Sequence, residues 1–89
     1  MTWRISFTKN ASKFLETNQI PKEKVFELVT KAIRKLQGGD INIDIKKLKG
    51  EWVGFYRIRM GKIRIIAEFD FDNLAALIEQ IDWRGNVYK

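Results

Sequence analysis

Residues 55–70 read FYRIRMGKIRIIAEFD, and this stretch decides the fold. Side chains in a strand alternate between two faces, so Ile58 should lie on the face opposite Arg57 and Arg59. Gly61 begins a short turn, after which a second apolar, β-branched run follows. The stretch therefore predicts an antiparallel β-hairpin with one apolar face and one cationic face.

The residues before this hairpin predict one strand and two helices. Residues 2–8, TWRISFT, alternate apolar and polar side chains as a half-buried strand does. Thr8 can cap a short helix in which apolar residues recur at spacings of three and four. Pro21 suits the first turn of a longer amphipathic helix, which Gly38 should end.

The rest of the chain completes the predicted domain. In residues 40–50, DINIDIKKLKG, isoleucines alternate with polar residues, but the lysines and the glycine favour a loop. Residues 74–83, LAALIEQIDW, predict a last strand, with a helix as the alternative because Leu and Ala favour helices. The order β-α-α-β-β-β predicts one α+β domain over residues 1–89, with an antiparallel sheet of about four strands. Both helices should cover one face of this sheet and leave the other open.

The composition excludes much common chemistry. The sequence contains no cysteine and no histidine, so thiolate metal sites and imidazole bases are excluded. The net charge is +6, and residues 41–64 hold seven bases against two acids. This concentration favours a polyanionic partner. No apolar run is long enough for a signal peptide or a membrane span, so we expect a soluble, cytoplasmic protein without a cofactor.

The cationic face of the hairpin is the candidate site. Arg57 and Arg59 project from one strand, and Arg64 should lie beside them on the next. Guanidinium forks match phosphate oxygens, and several together can stabilise the pentacoordinate transition state of phosphodiester cleavage. The alternative is a solvated face whose cations pair with acids and need no ligand, the candidate acids being Glu68, Glu79 and Asp82.

Other side chains could complete this site or form a different one. Lys46, Lys47 and Lys49 add charge beside the arginines, or simply form a solvated loop. Arginine cannot act as a base in a protein, so Tyr88 is the first candidate for proton transfer and Lys49 the second. A magnesium site is a less favoured alternative, and its ligands would be Glu68, Asp70 and Asp72.

Taken in order, these segments resemble the RelE/ParE superfamily of bacterial toxins from type II toxin-antitoxin pairs. Residues 44–70, DIKKLKGEWVGFYRIRMGKIRIIAEFD, and residues 81–88, IDWRGNVY, carry the resemblance. They are similar to the family's Lys-Leu-Lys-Gly run, its Tyr-Arg-x-Arg and Arg-x-Ile strands, and its closing Arg with Tyr four residues on. The resemblance extends over almost the whole chain. Trp83 departs from it, since many members have His at that position.

The resemblance implies a RelE-like fold and a ribosome-dependent messenger RNA endonuclease that uses no metal. In that reaction the 2′-hydroxyl of the RNA attacks the adjacent phosphate. The implied catalytic residues are Arg59, Arg64, Arg84 and Tyr88, and the implied RNA-binding residues are Lys47, Lys49 and Arg57. The implied partners are a cognate acidic antitoxin, in a hetero-oligomer, and the ribosome with its messenger RNA. The alternatives are a DNA gyrase inhibitor, as in the ParE branch, and a nucleic-acid or antitoxin-binding module that has lost catalysis.

Overall fold

The computed structural model describes residues 2–83, and its elements follow the predicted order with one additional strand. The helices are α1 (Lys9–Thr17) and α2 (Lys22–Leu36). The strands are β1 (Arg4–Phe7), β2 (Asp44–Lys47), β3 (Phe55–Met60), β4 (Ile63–Asp70) and β5 (Ala75–Trp83). A single 3₁₀ turn, Gly50–Trp52, lies between β2 and β3. The predicted α+β class is confirmed, and the segment before Trp83 is a strand rather than a helix.

The strands form one sheet in the order β1-β5-β4-β3-β2. The prediction of an antiparallel sheet with about four strands needs two corrections, because the sheet has five strands and β1 runs parallel to β5. The extra strand forms because Ile45 lies opposite Ile58 and packs against the core, while the lysines after it stay exposed. The parallel pairing is possible because two helices and three strands separate β1 from β5 in the chain, so no tight turn forces these neighbours to run antiparallel.

The helix ends use the residues that the sequence indicates. The Thr8 hydroxyl accepts a hydrogen bond from the backbone N–H of Ala11 at 3.2 Å and donates one to the Glu79 carbonyl at 2.7 Å. These bonds fix the start of α1 to β5. Pro21 lies just before the first residue of α2, as its N-cap. Gly38, with φ +90°, follows the end of α2 in a conformation that favours glycine. Within residues 2–83, neither helix is long and apolar enough to cross a bilayer.

The hydrophobic core lies between the two helices and one face of the sheet. Its fully buried side chains from both layers include Val25, Val29, Ile58, Ile65 and Ile78. One isoleucine from each of the strands β2 to β5 lies opposite the next across the sheet. We call this set the isoleucine row; its members are Ile45, Ile58, Ile65 and Ile81. These four side chains stand opposite one another in neighbouring strands, so each strand contributes to the same core layer.

The sheet face opposite the helices carries the predicted cations. Residues that lie opposite one another in neighbouring strands share a face of the sheet. Lys46 lies opposite Arg57, and Arg59 lies opposite Arg64. We call the part of this surface on β2, β3 and β4 the basic face; its cations are Lys46, Arg57, Arg59 and Arg64. Ile66 lies on the same face opposite Arg57 and is only 1% exposed, so this face is not uniformly open.

Two valines provide a matched test of this core. Val29 is fully buried in α2, whereas Val53 is 71% exposed in the connection before β3. Val29→Ala should lower the free energy of unfolding by about 1–2 kcal/mol, because two buried methyl groups are lost and alanine's better helix propensity offsets part of the loss. Val53→Ala should change it by less than about 0.5 kcal/mol. Urea unfolding of both variants measures the difference, and equal values would contradict this assignment of the core.

Candidate functional site

A row of four charged side chains crosses the basic face from β2 to β5. Cross-strand pairing places Asp44 opposite Arg59, then Arg59 opposite Arg64, and Arg64 opposite Asp82. We call this arrangement the charge row. Like charges directly opposite one another destabilise a sheet, so the central arginine pair is an unfavourable element flanked by an acid at each end. The strand register therefore places Arg59 and Arg64 side by side, as the sequence predicted.

One carboxylate holds two of the predicted arginines. Asp44 Oδ1 accepts a hydrogen bond from Arg57 Nη2 at 3.0 Å, and Asp44 Oδ2 accepts one from Arg59 Nε at 2.8 Å. These contacts orient both guanidiniums on the basic face. The sequence analysis raised the alternative that acids pair with these cations. Arg57 and Arg59 do pair with an acid, but that acid is Asp44. Among the described residues, their salt bridges are to Asp44 rather than to Glu68, Glu79 or Asp82.

The two arginines change the acidity of Asp44. Partial desolvation acts to raise the pKa of this carboxyl, but the hydrogen bonds and positive charges of Arg59 and Arg57 act against it. The arginines prevail, and the pKa of Asp44 lies below its ordinary value. Asp44 is therefore ionised at neutral pH and neutralises part of the charge on the basic face.

Burial leaves one donor of Arg57 without a protein acceptor. The Arg57 side chain is 12% exposed, and its Nε atom is buried with no hydrogen-bond partner in residues 2–83. A buried donor that makes no hydrogen bond costs about 1–3 kcal/mol, so an anionic ligand or water that reached it would be favoured there. Arg64 is more buried as a residue, at 8% exposure. The centre of the basic face thus combines positive charge with partial exclusion of water.

A depression of about 360 Å³ adjoins this centre at the edge strand β2. Its lining residues are Lys46, Lys47, Leu48, Lys49, Trp52 and Arg57. The three residues predicted to bind RNA, Lys47, Lys49 and Arg57, therefore line a single concave surface. The lysine run lies partly on a strand and partly on the turn that follows, rather than wholly on a loop.

The predicted site residues divide into three groups. Arg59 and Arg64 adjoin each other in the charge row, and the three RNA-binding candidates share the depression. Arg84 and Tyr88 lie outside the described residues. Sequence reasoning missed Asp44, because residues 44–47 were not expected to form a strand; the alternation of Ile41, Ile43 and Ile45 was the available signal.

Of the three acids considered as magnesium ligands, Asp70 is engaged in the turn between β4 and β5. Both Asp70 oxygens accept hydrogen bonds within the β4–β5 turn, from the backbone N–H groups of Asp72 and Asn73 and from the Asn73 side-chain amide. The Asn73 side-chain bond is the largest of the effects that hold the pKa of Asp70 below its ordinary value. Among residues 2–83, no three acidic side chains converge as a metal site would require.

The Asp44 carboxylate makes stability depend on pH. A carboxyl whose pKa is lower in the folded state contributes stability that is fully present above its unfolded pKa of about 3.9 and is lost as the pH falls through the lower folded value. Asp44→Asn should therefore lower the free energy of unfolding at pH 7, by about 0.2–1 kcal/mol as for exposed ion pairs. The difference from the wild type should shrink below about pH 4.

Urea unfolding at pH 7 and at pH 3 measures both values for Asp44→Asn. A suitable control is Asp40→Asn, since Asp40 is also exposed but has no salt bridge to the described residues. A penalty for Asp44→Asn that was the same at both pH values would contradict the ionic role of Asp44.

Solved structures of toxins share this fold. The RelE-RelB complex from Pyrococcus horikoshii OT3 matches with a TM-score of 0.63 and 26% sequence identity, over 97% of this chain and 99% of the other. A YafQ mutant from E. coli matches with a TM-score of 0.64 and 14% identity, over 99% and 100% of the two chains. The heterotetrameric YoeB-YefM toxin-antitoxin complex from Staphylococcus aureus matches with a TM-score of 0.62 and 18% identity, over 94% and 99%.

No protein-family model and no curated protein matches the sequence significantly. The structural matches nevertheless extend over nearly the full length of both chains, so they concern the whole fold rather than one motif. The resemblance indicated by the lysine run, the arginine strands and their order is confirmed at this level. The chain therefore has a RelE-like fold.

Proposed function

We propose that this chain is the toxin of a type II toxin-antitoxin pair and that it cleaves messenger RNA on the ribosome without a metal ion. The observation that carries the proposal is the charge row, in which Arg59 and Arg64 stand opposite each other with Arg57 on the same face. Asp44 offsets only part of the positive charge on this face. A phosphate that gains negative charge in the transition state would be stabilised by the charge that remains.

The proposed reaction needs no group beyond the RNA and the protein. The 2′-oxygen forms a bond to the adjacent phosphorus, and the bond from phosphorus to the 5′-oxygen breaks, which leaves a cyclic phosphate and a 5′-hydroxyl. Arg59 and Arg64 are proposed to stabilise the pentacoordinate phosphorane, with Arg84 adding further charge. One proton leaves the 2′-hydroxyl and one reaches the 5′-oxygen. Tyr88 is the first candidate for this proton transfer, and Lys49 is the second.

The contacts of Asp44 suggest how the arginines are prepared for a phosphate. Its carboxylate oxygens accept hydrogen bonds from Arg57 Nη2 and Arg59 Nε, as two phosphate oxygens could. A phosphate that approached the basic face would meet guanidiniums that are already ordered, while Arg57 Nε offers a further donor. Ordering the donors before the ligand arrives lowers the entropic cost of binding.

The proposed dependence on the ribosome follows from the weakness of the available bases. The sequence has no histidine, and a tyrosine or lysine is mostly protonated at neutral pH. Such a site would cleave RNA slowly unless another surface held the substrate with its 2′-hydroxyl in line with the scissile bond. The ribosome is the proposed source of that orientation, and the proposed location is therefore the cytoplasm.

The proposed antitoxin would complement the same charge. The chain carries a net charge of +6, and residues 41–64, which include β2 and β3, hold seven bases against two acids. RelE from P. horikoshii and YoeB from S. aureus were both solved as complexes with their antitoxins. An acidic antitoxin segment that neutralised the basic face would exclude RNA from it, in a hetero-oligomer of the two proteins.

A second candidate function is a binding module that has lost catalysis. The observation that favours it is that Asp44 already neutralises part of the charge on Arg57 and Arg59. Such a module would still bind an acidic partner or RNA, but it would leave the RNA intact. Cleavage therefore discriminates between the two candidates.

Arg59 and Arg4 form a matched pair for testing catalysis. Both project from the sheet face opposite the helices, but Arg4 is exposed on β1, at the far edge of the sheet. Each change to glutamine removes one positive charge. Arg59→Gln should reduce the rate of ribosome-dependent cleavage by about 10²-fold or more, as loss of a transition-state donor does. Arg4→Gln should leave the rate within about twofold of the wild type.

The measurement is primer extension on a translated message in a purified translation system. A supercoiling assay with DNA gyrase, run in parallel, tests the gyrase alternative. Intact messages with the wild-type protein would refute the nuclease, and equal rates for the two variants would remove the role given to the charge row.

The salt dependence of RNA binding tests the electrostatic part separately. For a single strand, the logarithm of the affinity should fall against the logarithm of the salt concentration with a slope of about −0.7 per phosphate contacted, or about −3 for four contacts. Changing Lys47 and Lys49 together to glutamine should make the slope shallower by about 1.4. Fluorescence anisotropy with a short single-stranded RNA measures both slopes. A slope near zero for the wild type would show that the lysines and arginines contact no phosphates.

A further inference from the structure

Trp52 is an aromatic residue in the basic depression to which the proposed cleavage assigns no role. It ends the 3₁₀ turn between β2 and β3 and lines the depression with Lys47 and Lys49. The side chain is half-buried, and it is not one of the residues that form the hydrophobic core beneath the helices. Trp52 therefore presents an amphipathic aromatic ring beside exposed lysines, a residue type enriched at binding interfaces.

The local backbone holds this ring in a defined place. The Trp52 N–H donates to the Lys49 carbonyl at 3.2 Å, and the Val53 N–H donates to the Gly50 carbonyl at 3.2 Å. Gly50, with φ +67°, and Gly54, with φ +96°, adopt left-handed conformations on the two sides of the tryptophan. Trp52 is thus carried by a short hydrogen-bonded turn that the flanking glycines make possible.

The aromatic neighbour of Trp52 contacts it edge to face. The rings of Trp52 and Phe55 have centroids 5.4 Å apart and planes at 89° to each other. Two rings at right angles meet edge to face, so Phe55 can cover at most one face of the indole. The depression of about 360 Å³ lies against the same residue and is large enough to count as a small-ligand site.

Cations around an exposed aromatic face match single-stranded nucleic acid better than an acidic peptide. Stacking of a base on the ring and contact of its phosphate with lysines are the two elements of such binding. An acidic peptide would account for the lysines but gives no use for a flat ring. Lys47 and Lys49 are both exposed and line the depression with Trp52, so a phosphate bound there would meet positive charge.

We propose that Trp52, together with Lys47 and Lys49, forms a subsite for one unpaired RNA nucleotide next to the cleaved bond. The base stacks on the indole, and the lysines contact the phosphate that follows. Arg57 joins this subsite to the charge row, since it lines the depression and also shares Asp44 with Arg59. The inference rests on the proposed nuclease function and adds to it a residue that binds substrate without taking part in bond cleavage.

The test compares two single-stranded oligomers of equal length and charge, an oligoadenylate and an abasic ribose-phosphate chain. The wild type should bind the oligoadenylate about tenfold more tightly, because stacking needs a base. Trp52→Ala should lose this preference and keep the slope of affinity against salt concentration. Changing Lys47 and Lys49 together to glutamine should make the slope shallower and keep the preference.

Phe71→Ala is the matched control, because Phe71 is an aromatic residue 40% exposed in the β4–β5 turn, outside the depression. The Phe71→Ala variant should prefer the oligoadenylate over the abasic chain as strongly as the wild type does. Trp52→Phe keeps an aromatic ring and should retain most of the preference, which keeps the test valid if Trp52→Ala folds poorly. The oligoadenylate should also quench tryptophan fluorescence more in the wild type than in Trp52→Phe.

Several outcomes would overturn the subsite. One is an unchanged preference in Trp52→Ala; another is equal binding of the two oligomers by the wild type. A third is a Trp52→Ala variant that weakens only the binding of an acidic peptide, which would assign the ring to the antitoxin. Failure of the proposed nuclease function would give a different result. Translated messages would stay intact, while the base preference that depends on Trp52 would persist.

Discussion

The register between neighbouring strands is the constraint on which the rest of the structure depends. The isoleucine row and the charge row come from adjacent positions in the same four strands, β2 to β5. Successive side chains point to opposite faces, so burying the isoleucines forces the charges onto the other face. A slip of one residue would place the arginines in the core and the isoleucines in water. The free energy of burying Ile58 and Ile65 therefore fixes where Arg59 and Arg64 stand.

This arrangement explains how a small domain can hold like charges together. Repulsion between Arg59 and Arg64 is a local cost of about 0.2–1 kcal/mol, whereas burying a large aliphatic side chain contributes about 1.5–3 kcal/mol. The core outweighs the repulsion, and Asp44 reduces what remains by accepting hydrogen bonds from two guanidiniums. The result is an electropositive surface whose donors are positioned by the sheet and do not need a ligand to order them. Such preorganisation is what stabilisation of a developing anionic charge requires.

The features that the sequence predicted well are those with strong periodicity. The hairpin of β3 and β4 and the long helix α2 have regular apolar spacing, so their faces could be assigned before the structure was known. The strand β2 could not, because exposed lysines in an edge strand look the same as lysines in a loop. Missing β2 also hid Asp44, whose partners Arg57 and Arg59 lie 13 and 15 residues away. The parallel pairing of β1 was hidden for a similar reason, since β1 and β5 are separated by two helices and three strands and leave no local pattern in the sequence.

The edge position of β2 relates the fold to the proposed substrate contacts. A sheet edge offers unpaired backbone groups, and exposed lysines on an edge strand discourage pairing with other chains. Lys46 and Lys47 are exposed on this edge and also line the depression beside Trp52. The same charges can therefore protect the edge and attract a phosphate backbone. Because Asp44 belongs to this strand as well, the orientation of both guanidiniums that it holds depends on β2 remaining paired with β3, so the integrity of the edge and the geometry of the charge row are coupled.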